Sequence, residues 1–197
     1  MWQERLERQM RFITEIDRLK RIFRQNVVIG TTENENDAEH SWHMAVMAML
    51  LSEYSTEKNL DMLKVLKLIL VHDLVEIDAG DTFCYDEKGL EDKAEREKKA
   101  AQRLFGILPE EQAQEIFEFW REFEELETPE AGFAACMDRL QPLLLNFNTA
   151  GHTWQKPGVT SEKVLKRNRL LEQHVPELWN FARKMIESSI EKGILKK

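Results

Sequence analysis

Apolar residues recur mostly every three or four positions along this chain, which is the spacing that one face of an α-helix requires. No run alternates apolar and polar residues over a length that predicts a strand, and no internal repeat is found. The pattern predicts an all-α single domain over residues 1–197, a helical bundle of about seven to eight helices. The expected helices cover about 3–24, 38–54, 60–77 and 91–106, one begins at Pro109, one runs from Pro129 to about 149, and two more begin at Thr160 or Ser161 and at Pro176.

Residues that are typical of a helix N-terminus predict where several of these helices begin. Asp37 is expected to cap the second helix, because a short acidic side chain accepts hydrogen bonds from the first free backbone amides. Thr128 followed by Pro129 is typical of a first helical turn, where proline's missing amide costs nothing. The segments expected to be polar or irregular connections are 30–36, 78–90 and 151–158.

The third predicted helix ends in ionisable residues. The segment 65–71 is almost entirely apolar, and His72 and Asp73 follow it directly. A buried polar group without a partner costs roughly 2–7 kcal/mol, so two adjacent ionisable groups at this place indicate a shared cation. Glu76 lies one turn further on the same helical face, and Asp81 follows a glycine that can end the helix. Four acid, base or ligand groups are therefore expected to meet near one helix end.

The composition narrows the range of functions. Hydrophobic residues make up 42% and charged residues 32% of the 197 positions, which is typical of a folded globular protein. A net charge of −8 repels a nucleic-acid backbone, so long DNA or RNA is not expected as a partner, whereas a small anion can bind beside a local cation. No apolar stretch reaches the ~18 residues of a membrane helix, and the charged N-terminus is unlike a signal peptide. The two cysteines are expected to be reduced, and the protein to be cytoplasmic.

Two further residues are candidate partners of the His-Asp pair. His40 lies in the first turn of the second predicted helix, and Asp138 lies in an apolar stretch where an unpaired carboxylate would be costly. Together His40, His72, Asp73 and Asp138 offer two imidazoles and two carboxylates. This donor set suits one divalent metal ion per chain, of the borderline or hard kind: Mn²⁺, Co²⁺, Fe²⁺, Ni²⁺ or Zn²⁺. His43, three residues after His40, is interpreted as structural.

The order of these four residues resembles the H…HD…D signature of the HD-domain metal-dependent phosphohydrolases. A closer likeness is to the branch that contains the bacterial 5′-deoxynucleotidases and the eukaryotic HD-domain-containing protein 2. The segments that carry this likeness are 39–41, 72–76, 80–81, 137–140 and 154–160. The resemblance extends over nearly the whole chain.

The resemblance implies a helical fold of the HD type, a mononuclear metal site and removal of the 5′-phosphate from deoxyribonucleoside monophosphates. It implies that Glu76 is the catalytic acid or base and that Asp81, near the attacking water or the sugar, is both catalytic and substrate-binding. Arg24, expected at the end of the first helix, corresponds to an arginine that binds phosphate. The next residue in that branch is typically a tryptophan that disfavours ribonucleotides. This chain has Gln25, so we expect (deoxy)ribonucleoside 5′-monophosphates as the small-molecule substrates.

Other interpretations stay open at this point. His72 can be a core histidine bonded to a neighbouring helix, and Asp81 can be a turn residue. The same site can act on another phosphate ester, such as a nucleoside triphosphate, a cyclic nucleotide or a sugar phosphate. A non-catalytic helical interaction module, stabilised by a metal, is the alternative from a different class. A homodimer is expected from the resemblance and from apolar residues on the outer helices: Phe117, Trp120, Phe147 and Phe181.

Overall fold

The computed structural model describes residues 2–197 as a bundle of α-helices. Its longer helices are α1 (Trp2–Ile16), α2 (Asp37–Leu51), α3 (Met62–Val71), α6 (Lys93–Phe105), α7 (Glu110–Glu125), α8 (Pro129–Asn148), α9 (Ser161–Asn168) and α11 (Pro176–Glu191). Three short helices are α4 (Glu76–Ala79), α5 (Glu87–Leu90) and α10 (Leu170–His174). Turns of 3-10 helix cover Asp17–Arg21, Ser52–Tyr54 and His72–Val75. The predicted all-α fold is confirmed, with eight helices of eight residues or more among residues 2–197.

The prediction of a single helix over 3–24 is wrong. Helix α1 ends at Ile16, a 3-10 turn follows, and the chain then forms strand β1 (Phe23–Val27), which pairs antiparallel with β2 (Asn34–Asn36). Leu19 is buried beneath the 3-10 turn, so the apolar spacing continues past the point where the helix ends. The strands are too short and too polar to show alternation in the sequence. Arg24 consequently lies on a strand and not at a helix end.

Helix α2 begins one residue earlier than expected, and its cap is Asn36 instead of Asp37. The Asn36 Oδ1 accepts a hydrogen bond from the Glu39 amide at 3.0 Å, and the Glu39 carboxylate accepts one from the Asn36 amide at 3.1 Å. This reciprocal capping box satisfies the first turn without Asp37. The Asp37 side chain is therefore available to the interior, where it is fully buried.

The helix predicted over 60–77 is interrupted at the ionisable residues. Helix α3 ends at Val71, the 3-10 turn His72–Val75 follows, and α4 then runs to Gly80, whose φ of 76° ends it. A 3-10 turn has three residues per turn instead of 3.6, so it changes the directions in which side chains leave the backbone. Such interruptions within a helix often mark functional positions.

Helix α8 lies at the centre of the bundle and packs against α2, α3, α7 and α10. It begins as predicted, since Thr128 Oγ1 accepts a hydrogen bond from the Ala131 amide at 3.2 Å and Pro129 opens the first turn. The larger apolar core surrounds α8 and includes Leu68, Phe133, Met137, Leu171 and Ile186. A second core includes Phe12, Leu74, Leu104, Phe105 and Trp120. The 3-10 turn His72–Val75 lies where the two cores adjoin.

The exposed apolar side chains are not those expected from the sequence. Trp120 is buried in the second core, Phe117 and Phe147 are half-buried, and only Phe181 of the four is exposed, at 58%. Helix α2 instead exposes Trp42, Met49 and Leu50. Helix α1 exposes a stripe of large apolar side chains at i, i+4 and i+8 spacing. Among residues 2–197, no helix combines the length and the apolar character that crossing a bilayer requires.

Candidate metal centre and active site

The candidate site lies where three interior elements meet. The first turn of α2 supplies His40, the turn between α3 and α4 supplies His72 and Asp73, and the middle of α8 supplies Asp138. These four residues, distant in sequence, are brought together by the packing of α8 against α2 and α3. Both histidines and Asp73 are buried.

The distances among these four side chains are those of one small cluster. Nε2 of His40 lies 3.2 Å from Asp138 Oδ1 and 3.9 Å from Asp73 Oδ2, and Nε2 of His72 lies 3.1 Å from Asp73 Oδ1. Ligand atoms of His40, His72 and Asp73 all lie within 4.8 Å of one another. The two imidazole rings are 5.8 Å apart between centroids. One cation placed among the ligand atoms of His40, His72 and Asp73 can reach all three side chains, and Asp138 lies directly beside His40.

The hydrogen bonds at Nδ1 of the two imidazoles direct both Nε2 atoms into the cluster, where His40 Nε2 contacts Asp138 Oδ1 at 3.2 Å. His72 Nδ1 lies 2.7 Å from the Ile69 carbonyl, which can only accept, so Nδ1 carries the proton. His40 Nδ1 lies 3.0 Å from Gln141 Oε1. The orientation of that amide is set by Glu35, whose Oε1 accepts a hydrogen bond from Gln141 Nε2 at 2.5 Å. Both Nε2 atoms therefore point into the cluster, and such outer contacts are typical of metal-binding histidines.

The hydrogen bonding and the pKa values of the two histidines also fit a bound metal ion. His72 Nε2 is buried and has no hydrogen-bond partner, because its approach to Asp73 lacks the alignment of a hydrogen bond. An unpartnered buried nitrogen costs free energy that a cation would recover. Burial lowers the pKa of His40 to about 4, so this imidazole is neutral and ready to bind. Burial also disfavours a charged His72, yet the neighbouring Asp73 raises its pKa to about 9, so a metal ion must displace one proton there.

The carboxylates around the cluster divide into two kinds. Burial raises the pKa of Asp37 to about 7 and that of Glu76 well above its usual value, and the charge of Asp73 acts in the same direction on both. Asp73 and Asp138 are also buried, but His72 and Arg24 hold the pKa of Asp73 far below its usual range, and His40 and Arg167 do so for Asp138. Neighbouring carboxyl groups whose pKa values are shifted in opposite directions are typical of sites that perform acid–base chemistry.

Arg24 lies among these acids. Its Nη1 is 2.9 Å from Asp73 Oδ2 and 3.2 Å from Asp37 Oδ1, and about 3.9 Å separates the guanidinium from the carboxylates of Asp81 and Asp138. The side chain is only 11% exposed, and its Nε has no hydrogen-bond partner. Arg24 therefore compensates the excess negative charge of the site from the strand β1, while Asp81 lies at the same edge of the cluster.

Several site residues were not identified from the sequence. Asp37 was interpreted as a helix cap, although it forms a cluster with Asp73 and Glu76 in which ligand atoms lie within 4.8 Å. Gln141 follows Asp138 by three residues, which places it on the same helical face, so helical spacing was a usable signal. Glu35 and Arg167 carry no comparable signal, because each reaches the site through tertiary packing. His43 contacts Gln141 at 3.1 Å and not the four predicted ligands.

A cavity of about 220 Å³ opens beside the cluster. One part of its wall carries the acids, with His72, Asp73, Glu76 and Asp81. The remaining wall is mixed, with amide, aromatic, basic and aliphatic side chains and two further glutamates, Glu97 and Glu124. Its members include Gln25, Asn26, Phe83, Tyr85, Asn146, Trp154, Arg167 and Asn168. The arginines and amides of this lining offer hydrogen bonds and positive charge to a small polar molecule.

The sequence between residues 16 and 179 matches the model of the HD domain family. The chain belongs to this family. The match spans both histidines and both aspartates of the predicted ligand set, and the resemblance inferred from the order of those residues is thereby confirmed.

Similar proteins of known name are 5′-deoxynucleotidases. The 5′-deoxynucleotidase HDDC2 of Mus musculus is 32% identical over 136 residues, which cover 68% of this chain and 66% of the mouse protein. The HDDC2 of Dictyostelium discoideum is 33% identical over 119 residues, covering 58% of this chain and 63% of that protein. The chain thus spans slightly less than two thirds of the length of these relatives.

Solved structures share the fold. A predicted metal-dependent phosphohydrolase from Magnetospirillum magnetotacticum is 48% identical, with a TM-score of 0.93 over 98% of this chain and 97% of that chain. An HD-domain phosphohydrolase from Listeria innocua is 16% identical, with a TM-score of 0.66 over 94% of this chain and 95% of its own, which shows the fold alone.

Proposed function

We propose that this protein is a metal-dependent phosphomonoesterase that hydrolyses (deoxy)ribonucleoside 5′-monophosphates to a nucleoside and phosphate, with residues 1–197 as one HD-type domain. The observation that carries the proposal is the convergence of two imidazoles and two carboxylates, with His72 Nε2 buried and unpartnered. The similarity to proteins named 5′-deoxynucleotidase supports the substrate class. The adjoining cavity supports a small-molecule substrate.

His40, His72, Asp73 and Asp138 would hold one divalent ion, and the donor set admits Mn²⁺, Co²⁺, Fe²⁺, Ni²⁺ or Zn²⁺. When bound, such an ion lowers the pKa of a water molecule and neutralises charge on phosphoryl oxygens. Gln141, which is held by Glu35, accepts a hydrogen bond from His40 Nδ1 and would keep the Nε2 lone pair of His40 directed at the ion.

Glu76 is the residue proposed to hold and transfer a proton. Burial and the charges of Asp73 and Asp37 raise the pKa of its carboxyl well above the usual value, which favours the proton-carrying form. Its Oε2 is buried without a hydrogen-bond partner. A carboxyl of this kind can donate to the leaving 5′-oxygen of the substrate, a contribution of about 10²–10⁴-fold in rate. Asp81, at the edge of the cavity, is proposed to orient the attacking water or the sugar.

Arg24 is proposed to contact the phosphate. In the metal-free protein its charge is taken up by Asp73 and Asp37. A dication on Asp73 and Asp138 would neutralise part of that acid cluster, which leaves more of the guanidinium's charge for an anionic substrate. Gln25 beside it is smaller than the tryptophan of the deoxynucleotidase branch, so ribonucleotides are proposed as substrates in addition to deoxynucleotides.

The assay for this proposal is phosphate release from a panel of esters by EDTA-treated protein with Mn²⁺ or Co²⁺ added back. The panel comprises nucleoside mono- and triphosphates, cyclic nucleotides and sugar phosphates. His72→Ala is expected to abolish release, whereas His152→Ala, an exposed histidine in the loop after α8, serves as the matched control with unchanged activity. Full activity without metal would refute the proposal. Hydrolysis of another ester alone would show that the enzyme acts on that class of substrate instead. No turnover, with a chelator lowering the melting temperature, would favour the non-catalytic module.

We also propose a cytoplasmic homodimer, with the exposed apolar face of α2 as the interface. Trp42, Met49 and Leu50 lie exposed on that helix, and exposed apolar patches of this kind mark association sites. Sedimentation of Trp42→Glu should give a monomer, while Phe181→Glu, at an exposed apolar side chain of α11, should leave the dimer intact. The reverse result would place the interface on α11.

A further inference from the structure

A second arginine, besides Arg24, lines the cavity next to Asp138. Arg167 lies in the last turn of α9, and its Nη2 is 3.7 Å from Asp138 Oδ2. Its side chain is 34% exposed, against 11% for Arg24. Within the described residues 2–197 its guanidinium makes no hydrogen bond to protein and has this one carboxylate within 4.0 Å. Its donors are therefore available to a ligand in the cavity.

The backbone around Arg167 is held firmly in place. The Arg139 Nη1 donates to the Arg167 carbonyl at 3.0 Å, and the Asn168 Nδ2 donates to the Val164 carbonyl at 2.9 Å. The guanidinium can therefore bind a ligand without the cost of ordering its helix.

The charges on this wall favour an anion once the site is loaded. Asp138 presents Oδ1 to His40 and Oδ2 to Arg167. A metal ion held by Asp138 would use the negative charge that compensates Arg167 at present. Arg139 lines the same cavity and its Nη1 donates to the Arg167 carbonyl, so this wall then carries two cations. A planar guanidinium with free donors matches the oxygens of a phosphate group.

Asn168 provides an independent sign that a ligand completes this wall. It lines the same cavity, is 3% exposed, and its Oδ1 is buried without a hydrogen-bond partner. A buried acceptor in this state costs about 1–3 kcal/mol unless a donor arrives. A phosphate dianion has no proton to donate, whereas sugar hydroxyls and base amino groups do. The two neighbouring residues thus match the two halves of a nucleoside monophosphate.

We propose that Arg167 is a second phosphate-binding residue of this site, and that Asn168 accepts a hydrogen bond from the nucleoside part of the same substrate. This inference rests on the proposed function and assigns to α9 the recognition of both halves of the substrate.

The test compares Arg167→Met with Arg169→Met in metal-loaded protein. Arg169 is 79% exposed and faces Glu172 on the surface, so it is a matched loss of charge two residues away. Inorganic phosphate binding is measured by calorimetry, and the KM for a nucleoside monophosphate and inhibition by phosphate and by free nucleoside are measured kinetically. Arg167→Met should raise the KM and both phosphate constants in parallel by about 10–100-fold, as loss of a charged hydrogen bond predicts. The nucleoside constant should stay within twofold.

Two further variants separate recognition from a structural role. Arg167→Lys should restore part of the phosphate affinity, because it returns the charge without the planar fork. Asn168→Leu should weaken inhibition by nucleoside by about 2–10-fold and leave phosphate binding unchanged. Phosphate constants within twofold of wild type in Arg167→Met, or equal weakening of phosphate and nucleoside, would overturn the assignment.

These outcomes are distinguishable from a failure of the proposed function. If the wild-type protein hydrolyses nucleotides but Arg167→Met binds phosphate normally, only the role of Arg167 is refuted. If no nucleotide is hydrolysed, yet calorimetry shows phosphate binding that Arg167→Met loses, the phosphate site stands and the nucleotide reaction falls.

Discussion

Helix α3 and the turn after it join two regions of opposite physical character. Along α3, Val65, Leu68 and Ile69 are fully buried in the larger apolar core. A few residues later, His72 and Glu76 are just as inaccessible, but each has a buried polar atom without a hydrogen-bond partner. The side chains of both regions are buried. Burial is favourable for the apolar side chains and unfavourable for the polar atoms that lack a partner.

This difference shows where the stability of the protein resides. Each apolar side chain in the core contributes roughly 1.5–3 kcal/mol through removal from water. The buried acids of the site lose hydration and repel one another, which is unfavourable until a cation or a substrate compensates them. The core therefore stabilises a site that is under strain in the absence of its ligands, and substitutions in the two regions should have opposite effects on stability and activity.

The largest effect is expected from Glu76→Gln. This nearly isosteric change removes the transferable proton, so turnover should fall about 10²–10⁴-fold. Because a buried acid beside Asp73 and Asp37 is lost, the melting temperature should not decrease. Kinetics and thermal unfolding of the same preparation check both points, with the exposed Glu127→Gln as control. A lower melting temperature together with normal turnover would refute the contrast between the two regions.

The converse change is Ile186→Ala in the core. Ile186 is fully buried on α11, and truncation should lower the free energy of unfolding by about 2–5 kcal/mol through lost burial and a cavity. Below the unfolding transition, kcat should remain within twofold of wild type, because Ile186 does not line the cavity. Denaturant titration measures the stability. A large loss of kcat in fully folded protein would show that core and site are coupled.

A smaller effect is expected for Asp37→Asn, and it should depend on pH. The pKa of Asp37 is raised to about 7 from its usual value near 3.8. Between these values the folded protein keeps a proton that the unfolded chain has released, so this group makes stability fall as pH rises. In metal-free protein, Asp37→Asn should therefore raise the melting temperature by about 2–4 °C at pH 8. The gain should shrink as the pH falls and vanish only near the unfolded value of about 3.8, where both states hold the proton, and an equal gain at pH 8 and at about pH 4 would contradict the assignment.

The smallest effect concerns the rim of the cavity. Gln25 lines the cavity on β1 and is only partly buried, so Gln25→Trp adds bulk near the substrate at little cost in stability. The ratio of kcat/KM for deoxy- over ribonucleoside monophosphates should rise by about 10-fold. Gln25→Ala, which removes the amide without adding volume, should leave the ratio unchanged. Equal ratios in the wild-type protein and both variants would show that Gln25 does not determine the preference between deoxyribose and ribose.

Sequence reasoning succeeded where a local pattern corresponds to a local structure. The apolar spacing and start signals of α8 and α11 predict their first turns to within a residue, because capping and burial of one helix face are local. It failed at residues 17–27, where the apolar spacing extends over a 3-10 turn and conceals a polar hairpin. The interruption of α3 at His72 was missed for the same reason, since periodicity does not register a change of helix type.

The sequence by itself determined the helical fold, and it predicted four donors, because His72, Asp73 and Asp138 lie in or beside apolar segments where an unpaired polar group is costly and His40 precedes them in the same order. The tertiary structure alone decided which other groups reach them. Asp37 enters the site because Asn36 takes over the cap, and Arg24 enters from a strand that local periodicity does not reveal. Arg167 reaches Asp138 only because α9 packs against α8. Contacts of this kind depend on how distant segments pack, and no local pattern in the chain encodes them.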